Sequence, residues 1–180
     1  MTKQNVRGRI IKSLGGFYYV ADSEQKGNII ECRARGAFRQ QNVKPCVGDW
    51  AQVELTPQGK GYVVEIEERK NSLVRPPLAN LDQLVLVVSI ADPAPNAFVL
   101  DKLIAIAEYQ EIEPIIVITK CDLADPEEFA QIYRKAGFTV LETKSLQHEG
   151  IESVMEILKD KTSAFCGNSG AGKSTLLNAI

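Results

Sequence analysis

The run Gly167-Asn168-Ser169-Gly170-Ala171-Gly172-Lys173-Ser174 constrains this chain more than any other part of it. It fits the Walker A pattern at every fixed position, with a short apolar strand ("TSAFC") before it and a helix ("KSTLLNAI") after it. Glycines let successive backbone N–H groups turn inward around phosphates, and the following helix start adds partial positive charge. Lys173 is expected to reach the β- and γ-phosphates, and the Ser174 hydroxyl to ligate Mg²⁺. Residues 167–175, through Thr175, are therefore the expected phosphate site. Such a loop ordinarily opens a nucleotide-binding domain; here it comes at the end of the chain.

The residues before it alternate between strand and helix. "LDQLVLVVSIAD" is a near-continuous apolar run, as expected of a strand buried on both faces of a parallel sheet. "FVLDKLIAIAEYQ" places apolar residues at 99, 103, 106 and 107, a helical stripe. Strand "EPIIVITK", helix "PEEFAQIYRKAG" closed by Gly137, strand "FTVLET" and helix "GIESVMEILKD" follow, which predicts a doubly wound α/β layer. At the carboxyl end of its strand, Thr119-Lys120-Cys121-Asp122 stands where GTPases carry Asn-Lys-x-Asp. In that pattern the Asp accepts hydrogen bonds from the guanine ring N–H and amine, which adenine lacks, and the Lys lies along the base. Thr119 in place of Asn changes one tethering side chain. The competing reading has Asp122 capping the next helix. Ser145 is a weak match to the small residue that backs the base in GTPases, and His148, the sole histidine, reads as a surface loop residue. Asp92 ends a Walker B-like strand, which keeps a permuted-order ATPase or nucleotide kinase as an alternative.

The first part of the chain has a different period. "VRGRIIKSL", "GFYYVAD", "GNIIECRARG", "DWAQVEL" and "GYVVEIEE" read as five short strands with glycine turns between them, the pattern of a small closed barrel of OB-fold or SH3-like type. Phe17, Tyr18, Tyr19 and Trp50 are stacking candidates for bases or core residues, with Trp50 expected in the core. Arg33, Arg35 and Arg39 form a basic cluster that suits either phosphate contacts or a solvated loop. "ERKNSLVRPPLANLDQ" shows no regular pattern, and Pro76-Pro77 bars a helix, so the organisation expected is a barrel over 1–70, a linker over 71–80 and an α/β part over 81–180. Charge divides similarly: residues 1–71 carry 12 Lys+Arg against 8 Asp+Glu, net +4, and residues 72–180 carry 9 against 15, net −6. Cys32, Cys46, Cys121 and Cys166 are scattered without a Cys-x-x-Cys pair, so reduced cysteines and no zinc site are expected within these residues. No apolar run approaches the roughly 20 residues that span a bilayer. A cytoplasmic monomer without membrane contact is the expectation.

In this order the base loop precedes the phosphate loop, the reverse of the usual GTPase. Both loops would leave the same edge of one sheet, so a circular permutation keeps the site intact. With "PCVGDWAQVE", "ERKNSLVRP", "NLDQLVLVVSIADP", "ITKCDL" and "GNSGAGKSTLLN" in succession, the chain resembles the ribosome small-subunit-dependent GTPases of the RsgA/YjeQ family. The resemblance implies an N-terminal OB-fold that contacts ribosomal RNA, followed by a circularly permuted P-loop GTPase domain that hydrolyses GTP to GDP in late maturation of the small ribosomal subunit. It also implies an Asp-x-x-Gly switch and a zinc-binding domain beyond Ile180. The 180 residues alone are expected to be an incomplete GTPase domain with little activity. An RNA-binding module with a vestigial nucleotide site is the remaining alternative.

Overall fold

The structure is a computed structural model that describes residues 5–35, 44–57 and 59–180. The chain falls into two compact units, divided between Asn80 and Leu81.

In the first unit, β1 (Asn5–Leu14), β2 (Phe17–Asp22), β3 (Ile29–Ala34), β4 (Trp50–Leu55) and β5 (Gly61–Ile66) close into a barrel in the order β1-β2-β3-β5-β4. The β3–β5 pair is parallel and the others antiparallel, with β4 returning to β1 to complete the OB-fold. Alternation turns one residue in two inward. Ile10, Tyr18, Val20, Ile30, Cys32, Ala51, Val53 and Val63 form the core. Each buried aliphatic side chain of this kind contributes about 1.5–3 kcal/mol. Burial pushes the Cys32 thiol up to about 12 and the Cys46 thiol up to about 11, so both stay protonated hydrophobes.

Two expectations change here. Trp50 is not in the core: it lies half-buried on the outer side of β4, with the Arg7 guanidinium 4.2 Å and the Arg9 guanidinium 5.7 Å from its ring centroid. Its neighbour Ala51 takes the inward position. Residues 71–80 are also not irregular. β6 (Ser72–Leu73) and β7 (Leu78–Ala79) form a small antiparallel hairpin, and Pro76-Pro77 occupy its turn, where no amide donor is needed. The hairpin is seated on the barrel. Ala79 N donates to Val47 O at 2.9 Å and Asn80 Nδ2 to Gly48 O at 3.0 Å. Just before it, Arg69 grips the fully buried Asp49 through two hydrogen bonds of 2.7 and 2.9 Å.

In the second unit, β8 (Gln83–Ser89), β9 (Glu113–Thr119), β10 (Thr139–Glu142) and β11 (Ser163–Cys166) make one all-parallel sheet in the order β10-β9-β8-β11. Helices α1 (Ala97–Tyr109), α2 (Glu127–Lys135), α3 (Ile151–Leu158) and α4 (Lys173–Ala179) connect or follow the strands. Val85, Val87, Ile115 and Val117 bury one sheet face with Ile151, Val154 and Leu176, while Leu84, Leu86, Ile116 and Ile118 are buried on the other. That two-sided burial is why β8 and β9 read as unbroken apolar runs. The buried face of α1 is Leu100, Ile104 and Ala107 rather than the expected 99, 103, 106 and 107; Ile106 is 40% exposed. The Asn96 side chain caps α1 by accepting from Val99 N at 3.1 Å.

Candidate nucleotide site at the strand ends

A parallel sheet delivers the carboxyl ends of all its strands to one edge, where α/β ligand sites form. Two of the loops leaving that edge carry the residues expected to hold phosphate and base. The phosphate loop runs from the end of β11 into α4. At Gly167, φ is +155° and an added Cβ would lie 2.2 Å from Val87 O, so no side chain fits beside β8. At Gly172, φ is +85° and a Cβ would meet Thr119 Oγ1 at 3.3 Å. Lys173 Nζ donates to the carbonyls of Gly167 at 2.7 Å and Asn168 at 2.6 Å, folded over the loop's own rim. Asn168, Ser169, Gly170, Ser174 and Thr175 are exposed, and Ala171 is buried beneath them.

The second loop leaves β9, two strands away. The buried Thr119 donates from Oγ1 to Ala171 O at 2.7 Å, joining the two loops directly. Lys120 Nζ donates to Gly170 O at 2.9 Å and also to Asp92 O. Lys120 has φ +60°, a left-handed conformation that costs a non-glycine residue about 1–3 kcal/mol and persists where surrounding contacts over-determine it. Those contacts are the two carbonyls its ammonium holds. Cys121 N donates to Thr143 O at 3.3 Å, and Thr143, buried at the end of β10, returns a hydrogen bond from its N to Ile118 O at 2.8 Å. Burial raises the Cys121 thiol above its ordinary range, so it is not a thiolate nucleophile.

Asp122 is exposed and does not cap α2, whose N-cap residue is Pro126; Asp125 accepts from Glu127 N at 3.0 Å in the turn before the helix. Asp122 instead lines a cavity of about 230 Å³ with Thr119, Lys120, Leu123, Ser145, Leu146, Gly172 and Thr175. Ser145 and Leu146 belong to a short 3₁₀ turn, Ser145–Gln147, closed by the Lys144–Glu149 ion pair at 2.6 Å. That ion pair raises the Lys144 ammonium, with the nearby Asp122 carboxylate adding to the effect. His148 stands exposed at the end of the turn. The structure thus brings Thr119, Lys120 and Asp122 together with Gly172 and Thr175 around one cavity, with the Thr119 and Lys120 hydrogen bonds tying the rest of the 167–175 loop to its edge.

Leu123 and Leu146 are the wall residues that sequence reading missed. They are 66% and 82% exposed, and apolar side chains held in the open beside a polar cavity are the signal that could have found them. In the barrel, Arg33 lies 4.7 Å from the Phe17 ring centroid, Arg35 pairs with Glu54 at 2.7 Å, and Arg39 lies outside the described residues. Tyr18 is core; Phe17 and Tyr19 face outward, half-buried.

Residues 66–180 match the model of the RsgA GTPase family, and residues 7–63 that of the RsgA N-terminal domain. The chain belongs to the RsgA GTPase family. RsgA relatives named "Small ribosomal subunit biogenesis GTPase" include one from Caldanaerobacter subterraneus subsp. tengcongensis, 47% identical over 98% of this chain and 60% of its own length. Another, from Bacillus subtilis, is 42% identical over 96% of this chain and 61% of its own. The crystal structure of YjeQ from Thermotoga maritima matches with a TM-score of 0.86 at 36% identity, over 98% of this chain and 65% of that one. YloQ, described as a circularly permuted GTPase, matches at 0.82 and 40% identity over 98% and 64%. The chain therefore spans about 60% of the length of the curated RsgA relatives it matches. The barrel, the parallel sheet and the reversed loop order of this RsgA chain agree with the expected fold.

Proposed function

We propose that the intact protein binds Mg·GTP at the joined loops and hydrolyses it to GDP and phosphate during late maturation of the small ribosomal subunit, as a cytoplasmic monomer. One observation carries this reading: Thr119 Oγ1 on Ala171 O and Lys120 Nζ on Gly170 O hold a base loop and a phosphate loop to a single cavity. The names of the curated relatives support the reaction and the setting. Among the described residues no helix is long and apolar enough to cross a membrane.

In this reading Lys173 exchanges the carbonyls of Gly167 and Asn168 for phosphate oxygens, and the amides of 167–175 surround them. Ser174, exposed in the first turn of α4, offers the hydroxyl oxygen that a hard cation such as Mg²⁺ takes; the ion supplies charge neutralisation on the phosphates. Asp122 accepts from the guanine N–H and amine, with Lys120, Cys121 and Leu146 shaping the slot. A carboxylate that loses both donors when adenine enters discriminates strongly against it. Positioning and charge stabilisation of the γ-phosphoryl group do the chemical work. The barrel faces ribosomal RNA through Arg33 and its neighbours.

The test is phosphate release by the intact protein from GTP and from ATP, with and without added small subunits. GTP turnover that rises with the subunits while ATP stays inert is the expected result. Equal use of ATP would reject the assignment of Asp122, and GTP turnover indifferent to the subunits would reject the proposed setting.

A further inference from the structure

Two lysines flank the candidate base acceptor, and the structure ties both of them to other partners. Asp122 itself makes no hydrogen bond or ion pair among the described residues. On one side, Lys120 Nζ is taken by the carbonyls of Asp92 and Gly170. On the other, the hydrogen bond from Cys121 N to Thr143 O lays the base loop along the residues that leave β10, which makes Lys144 a neighbour of Asp122. Glu149 does most to raise the Lys144 ammonium, and the Asp122 carboxylate adds to it. The Lys144 and Asp122 charges therefore feel one another across the gap between the loops without closing into a pair.

Lys144 is held by a closed turn. Its Nζ meets Glu149 Oε2 at 2.6 Å, and its backbone N donates to Glu149 O at 3.0 Å, so the side-chain pair repeats a backbone bridge between the same two residues. Gln147 N donates to Lys144 O at 2.8 Å inside the turn. Gly150, at φ +76°, passes so close to Glu142 that an added Cβ would lie 2.1 Å from its carbonyl oxygen. The backbone thus forms the turn without the ion pair, and the Glu149 side chain is 57% exposed, so removing it orphans no buried group. Exposed pairs of this kind add little stability. What this one decides is where the ammonium points. A carboxylate has two oxygens to offer, and the ring N–H and amine of guanine use both; a lysine ammonium brings three donors on a flexible stem and competes for the same lone pairs.

We propose that Glu149 is a positioning residue for base recognition: it holds Lys144 off Asp122 and so leaves both carboxylate oxygens open to guanine. This rests on the reading of Asp122 as the guanine acceptor and adds the residue that keeps it free. Without Glu149, Lys144 turns to Asp122 and the base must displace it. An exposed pair of ordinary strength would leave Asp122 open in a fraction of about 0.15 to 0.4 of the molecules, and affinity falls by the inverse of that fraction.

The experiment titrates the intact protein, Glu149→Gln, Lys144→Met and the double variant with fluorescent guanosine and adenosine diphosphates, at low and at high salt. Glu149→Gln should weaken the guanosine nucleotide roughly 2- to 6-fold. The adenosine nucleotide, which makes no bond to Asp122, should bind as it does to the parent. High salt should shrink the guanosine loss, since screening weakens an exposed pair. Lys144→Met alone should bind guanosine diphosphate at least as tightly as the parent, and joining it to Glu149→Gln should restore the parent's affinity. Unchanged guanosine affinity in Glu149→Gln, or a loss that persists in the double variant, would overturn the proposal. An equal loss for both nucleotides would overturn it too, since that is the mark of a damaged turn. A parent protein that does not prefer guanosine to adenosine diphosphate would instead overturn the reading of Asp122 itself.

Discussion

The loops at the strand ends of the second unit and the outer face of the barrel make their polar contacts in different ways. At the strand ends of the second unit, side chains hold backbone: Thr119, Lys120 and Lys173 all donate to main-chain carbonyls. On the barrel, side chains hold side chains: Arg7 with Glu67 and Trp50, Arg33 with Phe17, Lys60 with Glu31. A site built on backbone demands particular residues at particular spacings, because only glycine fits beside Val87 O and only a long cation reaches back over the loop. The barrel's side-chain pairs demand only that the right residues meet across strands, and those lie far apart in sequence.

That contrast can be tested from its most demanding side, the barrel core. Cys32 has its thiol raised by burial to about 12, from an ordinary value of 9.0. A group whose folded value is raised contributes stability that is full below the unfolded value and is lost as pH climbs toward the folded one. Barrel stability should therefore fall between pH 9 and about 12, by up to roughly 4 kcal/mol from this group. Denaturant melts of the intact protein and of Cys32→Ala across that range should show a shallower decline in the variant. Equal slopes would mean that the thiol is not held dry.

At the strand ends, Thr119→Val removes the hydroxyl that joins the two loops and leaves Ala171 O without that donor. A buried acceptor left unsatisfied costs about 1–3 kcal/mol. Guanine-nucleotide affinity should fall by roughly 5- to 150-fold, with RNA binding unchanged. An affinity within twofold of the parent would show that the loops are held together by something other than this contact. The smallest effect is expected at Trp50→Leu. It should cost about 0.5–1 kcal/mol of barrel stability through the lost cation–π contacts. A denaturant melt that matches the parent's would show that the two guanidiniums do not stabilise the ring.

Legibility in the sequence followed the same division. Gly167 to Ser174 and Thr119 to Asp122 could be singled out because the roles proposed for them, phosphate cradling and base recognition, prescribe residue types within a few positions of one another. The α/β layer was readable because β8 and β9 are buried on both faces. Alternation alone misplaced Trp50, since a strand's period does not say which phase faces inward; Ala51 and Val53 settle that only once β4 closes on β1. The hairpin of β6 and β7 was hidden because Pro76-Pro77 excludes a helix equally from a linker and from a turn.

The central claim is that Asp122 and Lys173 serve one bound nucleotide. It is tested most directly by titrating the intact protein and its Asp122→Asn variant with fluorescent guanosine and xanthosine diphosphates. The account predicts that the parent prefers guanosine, that Asp122→Asn reverses the preference, and that adding Lys173→Ala weakens both nucleotides in either background. An unaltered preference in a folded Asp122→Asn variant would contradict it.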